Sequence, residues 1–183
     1  MTTPLKQLST TLKTLASPEH YLFTLSDLSS VLPNQSRSAL QVILSRSVKS
    51  GLLERVCRNL YLYPDTNPQD GLLLYHAAAR LRAGDFNYLS LESVLSDAGV
   101  ISQVPMGWIT LMSSGRNRIV DCGRFGRIEY IHTRRPVEKL TGQLSWDSRI
   151  HLWRASVALA LKDLKHTHRS DELIDWELAN DLI

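Results

Sequence analysis

Apolar residues follow one rhythm and then another over the first third of the chain. Leu5, Leu8, Leu12 and Leu15 stand three and four apart, so residues 4–16 are predicted as an amphipathic helix stopped by Pro18. Ser26 precedes Asp27, Leu28, Val31 and Leu32, which reads as an N-cap and a short helix ending at Pro33. Asn34, Gln35 and Ser36 make a turn, and Ser36 is placed to cap a longer helix that runs to about Ser50 and ends at Gly51. At about 100° per residue, Leu40, Ile43, Leu44, Ser47 and Val48 of that helix form one buried stripe. The period then falls to two. Residues 52–56 and 60–63 read as strands joined through Cys57, Arg58 and Asn59, with Asn59 suited to a positive φ. A short helix, a turn, a longer helix and a hairpin across residues 23–64 make the layout of a winged helix-turn-helix, which places one helix in a DNA groove.

The rest of the chain is patterned differently. Residues 72–82 read as a helix, and residues 88–96 lead into another, capped by Ser90 and ended by Gly99, before a loop over 100–105. Residues 108–112, 118–122 and 127–133 read as strands, with turns at 113–115 and 123–126. From about Trp146 the apolar spacing, including Leu152, Val157, Leu159, Leu161 and Leu164, reads as helical again. A last helix is predicted from Ser170, with Leu173, Trp176, Leu178 and Leu182. The expected fold class is α+β: a winged helix-turn-helix over residues 1–68 and a C-terminal α+β domain with a small antiparallel sheet over 69–183, residues 69–85 forming a linking helix.

Composition narrows the function classes. The chain has 183 residues, enough for one large or two small domains. No run approaches the roughly 18 apolar residues of a membrane span, and the N-terminal segment lacks an apolar signal core, so a cytoplasmic protein without membrane contact is expected. Cys57 and Cys122 stand far apart and suggest reduced thiols, with no disulfide framework and no metal spacing. The net charge of +3 is modest but unevenly placed. Residues 33–64 carry Arg37, Arg46, Lys49, Arg55 and Arg58 against Glu54 alone. Residues 116–135 carry Arg116, Arg118, Arg124, Arg127, Arg134 and Arg135 against Asp121 and Glu129. Between 171 and 181 stand Asp171, Glu172, Asp175, Glu177 and Asp181 with no basic residue, so phosphates and some other partner would meet different surfaces.

The face of the third helix opposite its apolar stripe presents Gln35, Ser38, Val42, Ser45, Arg46 and Lys49, with Arg37 and Gln41 at the margin. Glutamine and arginine can reach base edges, serine and lysine can hold phosphates, and a carboxylate would repel the backbone. The expected DNA contacts are Gln35, Ser36, Arg37, Ser38, Gln41, Arg46 and Lys49, with Arg55 and Arg58 from the wing. Arg116, Arg118, Arg124 and Arg127 are expected as auxiliary phosphate contacts. No catalytic centre is expected. Ser90 and Ser93 lack a nucleophile-elbow context, Asp121 and Glu129 have no lysine beside them, and His166 and His168 have no third ligand nearby. No metal or cofactor is expected.

The segment YLSLESVLSDAGVISQVPMGWITLMSS, residues 88–114, resembles the central signature of the abortive-infection type IV antitoxin family (AbiEi-like). In that pattern a SLESAL helix is followed by a glycine, a Gln-x-Pro loop and an apolar strand, matched here by residues 88–99, Gln103 and Pro105. The words ERVCRNLYLYP at the end of the winged helix and ASVALALKDLK (155–165) are similar to the same family, with Asn59 where a glycine is usual. The resemblance implies an autorepressor whose winged helix binds repeats in its own promoter. It also implies a C-terminal domain that opposes a nucleotidyltransferase-type toxin, with or without touching it. The chain would be a monomer in solution or assemble cooperatively on DNA. A protein-interaction module without sequence-specific DNA binding is the other reading.

Overall fold

The computed structural model of the chain describes residues 3–66, 70–102 and 106–183. Gln103, Pro105 and the expected boundary at 68/69 lie outside the described residues. The chain divides into two compact units, Met1–Leu73 (unit 1) and Leu74–Ile183 (unit 2). The α+β class is observed.

Unit 1 is built from α1 (Pro4–Leu15), β1 (Leu22–Thr24), α2 (Leu25–Val31), α3 (Arg37–Lys49), β2 (Glu54–Cys57) and β3 (Leu60–Leu62). Its three strands form an antiparallel sheet in the order β1-β3-β2. Leu8 and Leu12 of α1, Leu28 of α2, Leu40 and Leu44 of α3 and Phe23 of β1 close one apolar core. Several local signals act as read. Ser36 Oγ accepts from the Ala39 amide at 3.2 Å and starts α3, and Gly51, at φ 76°, ends it. The cap of α2 differs: it is Thr24, not Ser26. Thr24 Oγ1 accepts from the Asp27 amide at 3.2 Å while Asp27 Oδ2 accepts from the Thr24 amide at 2.7 Å, a reciprocal box that leaves Ser26 inside the first turn. Cys57 belongs to β2, so the wing turns on Arg58 and Asn59 alone, with Asn59 at φ 65°. Val48 is not in the core stripe; it is 36% exposed.

Unit 2 contains most of α4 (Asp70–Leu81), then β4 (Asn87–Leu89), α5 (Leu91–Asp97), β5 (Trp108–Ser113), β6 (Arg118–Asp121) and β7 (Arg127–His132). It continues with β8 (Leu144–Asp147), β9 (Leu152–Ala155), α6 (Val157–His166) and α7 (Trp176–Asp181). The sheet is larger than expected and is mixed: six strands in the order β6-β7-β5-β4-β9-β8, with β4/β9 and β5/β7 parallel. The region from Trp146 that read as helical begins with the β8/β9 hairpin, in which Trp146 pairs with Trp153. The last helix begins at Trp176, capped by Asp175, and not at Ser170. Leu173, Trp176 and Leu182 are exposed there, and Ala179 is the residue that α7 buries.

Register assigns the two faces of this sheet. Tyr130, Leu111, Leu89, Arg154 and Ser145 form one row, and the Tyr130 hydroxyl donates to the Ala78 carbonyl of α4 at 2.9 Å. Ile131, Met112, Tyr88, Trp153 and Trp146 form the opposite row. On that second face, Thr110 of β5 bonds to Ser93 of α5, and Tyr88 donates to Asp163 of α6 at 3.0 Å. Helix α4 therefore covers one face, and α5 and α6 cover the other.

Two devices fix unit 2. Asp163, fully buried, accepts from Arg135 Nη1 at 2.6 Å, Ser90 Oγ at 2.8 Å and the Tyr88 hydroxyl, so Ser90 does not cap α5 with its side chain as expected. Leu91, Val94 and Leu95 of α5 are all buried, as the shared apolar face of that segment requires. At the start of β7, Gly126 has φ 113° and any Cβ there would overlap the Gly107 backbone, while the Arg127 amide donates to the Gly107 carbonyl at 2.7 Å.

Candidate nucleic-acid interface

Helix α3 and the wing enclose a groove of about 470 Å³ in unit 1. Its charged lining is Arg37 and Lys49 from α3 and Arg55 and Arg58 from the wing. No carboxylate lines it among the described residues. Helical spacing explains the α3 side. Arg37, Gln41, Leu44 and Val48 recur at three and four residues and form the flank turned to the wing, with Ser45 and Lys49 toward the outer edge. On the other side, register places Arg55 directly across from Tyr61, so both reach the groove from one face of the hairpin. A register shift between Arg55 and Cys57 bends the strand, and Arg55 Nε donates to the Cys57 carbonyl at 3.4 Å, holding the guanidinium along the wing.

Five residues expected from the sequence thus converge: Arg37, Gln41, Lys49, Arg55 and Arg58. The other four do not line the groove. Ser36 is engaged as the α3 cap and lies 3.1 Å from the Ser38 hydroxyl. Gln35 is half-buried in the turn, its amide bonded to the Leu32 carbonyl. Ser38 is exposed on the outer face of α3, while Arg46 is exposed about half a helical revolution away from Arg37, on the flank remote from the wing. Sequence reasoning missed Leu25, Val48, Asn59 and Tyr61, which complete the groove. The signal for Tyr61 was its two-residue alternation with the buried Leu60 and Leu62.

The auxiliary arginines lie in unit 2. Arg116 and Arg118 are exposed at and before β6, and the Arg116 carbonyl accepts from Arg82 Nη2. Arg124 lies over the Phe125 ring at 4.1 Å, and Arg127 lies 3.9 Å from Asp121 and 5.6 Å from the Trp108 ring. Asp121 and Glu129 serve different partners: Glu129 accepts from Arg169 at 2.5 Å, and Asp121 accepts from the Gly123 amide at 2.8 Å. The acids of 171–181 are all exposed.

The element order and sheet of unit 1, with a cationic groove between its third helix and wing, define a winged helix-turn-helix of the kind found in transcriptional regulators. Residues 11–64 match the model of the family described as transcriptional regulator, AbiEi antitoxin. The resemblance to AbiEi-like antitoxins is therefore shown over residues 11–64, within the winged helix. No curated protein matches the chain. Among the described residues, no helix is long and apolar enough to cross a membrane, and no three His, Cys, Asp or Glu side chains are grouped to hold a metal ion.

Proposed function

We propose that the chain is the antitoxin of a type IV toxin–antitoxin pair in the cytoplasm, and that it represses its own promoter by binding repeats there as duplex DNA. The observation that carries the DNA half is the groove of unit 1, with four cationic side chains and no carboxylate among its described lining. In a winged helix on B-DNA, the third helix enters the major groove and the wing the neighbouring minor groove. The phosphate strand between those grooves then runs along the cleft between helix and wing, where Arg37, Lys49 and Arg55 neutralise it, while Arg58 at the wing tip reaches into the minor groove. Gln41, Ser38, Ser45 and the half-exposed Val42 face the base edges, Val42 offering an apolar contact for a thymine methyl. Arg46, Gln35 and Ser36 reach the flanking backbone, and Arg116, Arg118, Arg124 and Arg127 add phosphate contacts from unit 2. Unit 2 opposes a nucleotidyltransferase-type toxin.

A gel shift on the chain's own upstream region tests the DNA half. The intact protein should give a sequence-specific complex that Arg37→Ala and Arg58→Ala weaken; the absence of any specific shift would refute it. Co-expression with the neighbouring toxin gene tests the other half. An Arg37→Ala/Lys49→Ala variant should lose repression yet still relieve toxicity, whereas loss of both together would mean that antitoxicity is only repression.

A further inference from the structure

We infer that unit 2 carries a second nucleic-acid site, distinct from the winged helix, that binds single-stranded nucleic acid by seating phosphates in a basic basin and stacking bases on a pair of exposed indoles. The basin, of about 460 Å³, is lined by Arg134, Arg135 and Lys139 after β7, Gln143 before β8, and Lys162 and His166 of α6. No carboxylate lines it among the described residues. Arg135 is committed to the buried Asp163, but Arg134, Lys139 and Lys162 have no ion-pair partner among the described residues. Three uncompensated cations around a concave surface call for a multiply charged anion.

The second observation is independent of charge. Trp146 and Trp153 are cross-strand partners on β8 and β9, with ring centroids 5.5 Å apart in an edge-to-face arrangement, and remain 53% and 39% exposed. The helices that bury Tyr88 in the same row leave this pair uncovered, so its ring faces are open to a planar ligand. The pair and the basin share a face of the sheet. Trp153 lies in the row of Tyr88, whose hydroxyl meets Asp163 on α6, and α6 supplies Lys162 and His166 to the basin. Along β8, Gln143 precedes Trp146 by three residues, about 10 Å of extended chain, a span that one or two nucleotides bridge. Phosphates beside an aromatic platform are the pattern of single-strand recognition. A duplex keeps its bases enclosed and could not use the indoles, and an acidic peptide would have no need of them.

The test uses the full chain and fluorescence anisotropy of labelled 12-nucleotide oligouridylate, with oligothymidylate, a non-operator duplex and polyglutamate as competitors. Binding at low salt should survive Arg37→Ala/Lys49→Ala in unit 1. It should fall about tenfold for each indole removed in Trp146→Ala and Trp153→Ala, and recover in the Phe variants. Lys139→Glu/Lys162→Glu, at two exposed positions, should weaken binding and flatten its log–log salt slope by about 0.7 for each phosphate no longer neutralised. Preference for the RNA or the DNA strand tells whether the 2′-hydroxyl is read, and either supports the site. The inference is overturned if the oligonucleotides do not bind, if only the unit 1 variant loses binding, or if polyglutamate competes equally while the tryptophan variants bind like the parent.

Discussion

Replacing Asp163 tests how unit 2 is held together. Its carboxylate is fully buried and accepts three donors: Arg135 on one oxygen, Tyr88 and Ser90 on the other. Burial first, and the Asp163 charge second, hold the Tyr88 phenol well above the usual tyrosine range, so it remains a donor. In Asp163→Ala, two buried hydroxyls lose their acceptor at about 1–3 kcal/mol each. Arg135, whose side chain is 23% exposed, recovers part of its hydration. The expected loss is about 3–5 kcal/mol, in line with truncating one member of a buried pair. In Asp163→Asn the amide oxygen can still take Arg135 while the amide N–H groups turn to the hydroxyls. Only the charge assistance is lost, at about 1–3 kcal/mol. The assay is built into the chain: its four tryptophans, Trp108, Trp146, Trp153 and Trp176, all fall in unit 2, so intrinsic fluorescence during urea unfolding reports that unit alone. With an m-value of about 1.5 kcal/mol/M, the alanine variant should unfold at a urea concentration lower by about 2–3 M. A midpoint within about 0.5 M of the parent, or an asparagine variant as unstable as the alanine one, would refute the reasoning.

Three further outcomes are expected. Thr24→Ala removes the side-chain half of the α2 capping box and should cost about 1 kcal/mol, seen as faster hydrogen exchange across residues 22–32 with unit 2 unchanged. Gly126→Ala drives a Cβ into the Gly107 backbone at φ 113° and should destabilise unit 2 by more than about 3 kcal/mol; a fluorescence melt like the parent's would show that the turn can relax. Arg124→Ala/Arg127→Ala should lower affinity for the promoter and flatten its log–log salt slope by about 1.8 if both touch phosphates, and an unchanged slope would remove them from the interface.

Unit 1 was legible because its signals are local. The leucine spacing of α1, the Ser36 cap, the Gly51 stop and the positive φ of Asn59 each sit within a few residues of the structure they cause. Three-residue β1 was not legible, since it exists by pairing with β3 about forty residues later, and no periodicity shows in so short a run. The same holds for β8 and β9, whose four-residue strands acquire their meaning from the Trp146–Trp153 register. Asp163 is the sharpest case. On a helix an aspartate reads as solvent-facing, and the three donors that bury it stand 28, 73 and 75 residues away. At the candidate interface the charges could be read from the chain, but which flank of α3 meets the wing depended on how α3 packs against the sheet.

The two-residue wing tip limits how the chain could find an address on a genome. Only Arg58 and Asn59 turn the hairpin, so a single cation is available to enter a minor groove. One arginine can sense how narrow that groove is but not the order of its bases, whose pattern there is degenerate. The informative positions of an operator would then lie under α3, about three or four base pairs for each copy bound. Against roughly 10⁶ or more competing sites, so short a word is not an address. Repetition would have to supply the missing information, so that a promoter carrying the word several times is distinguished by how many copies it gathers.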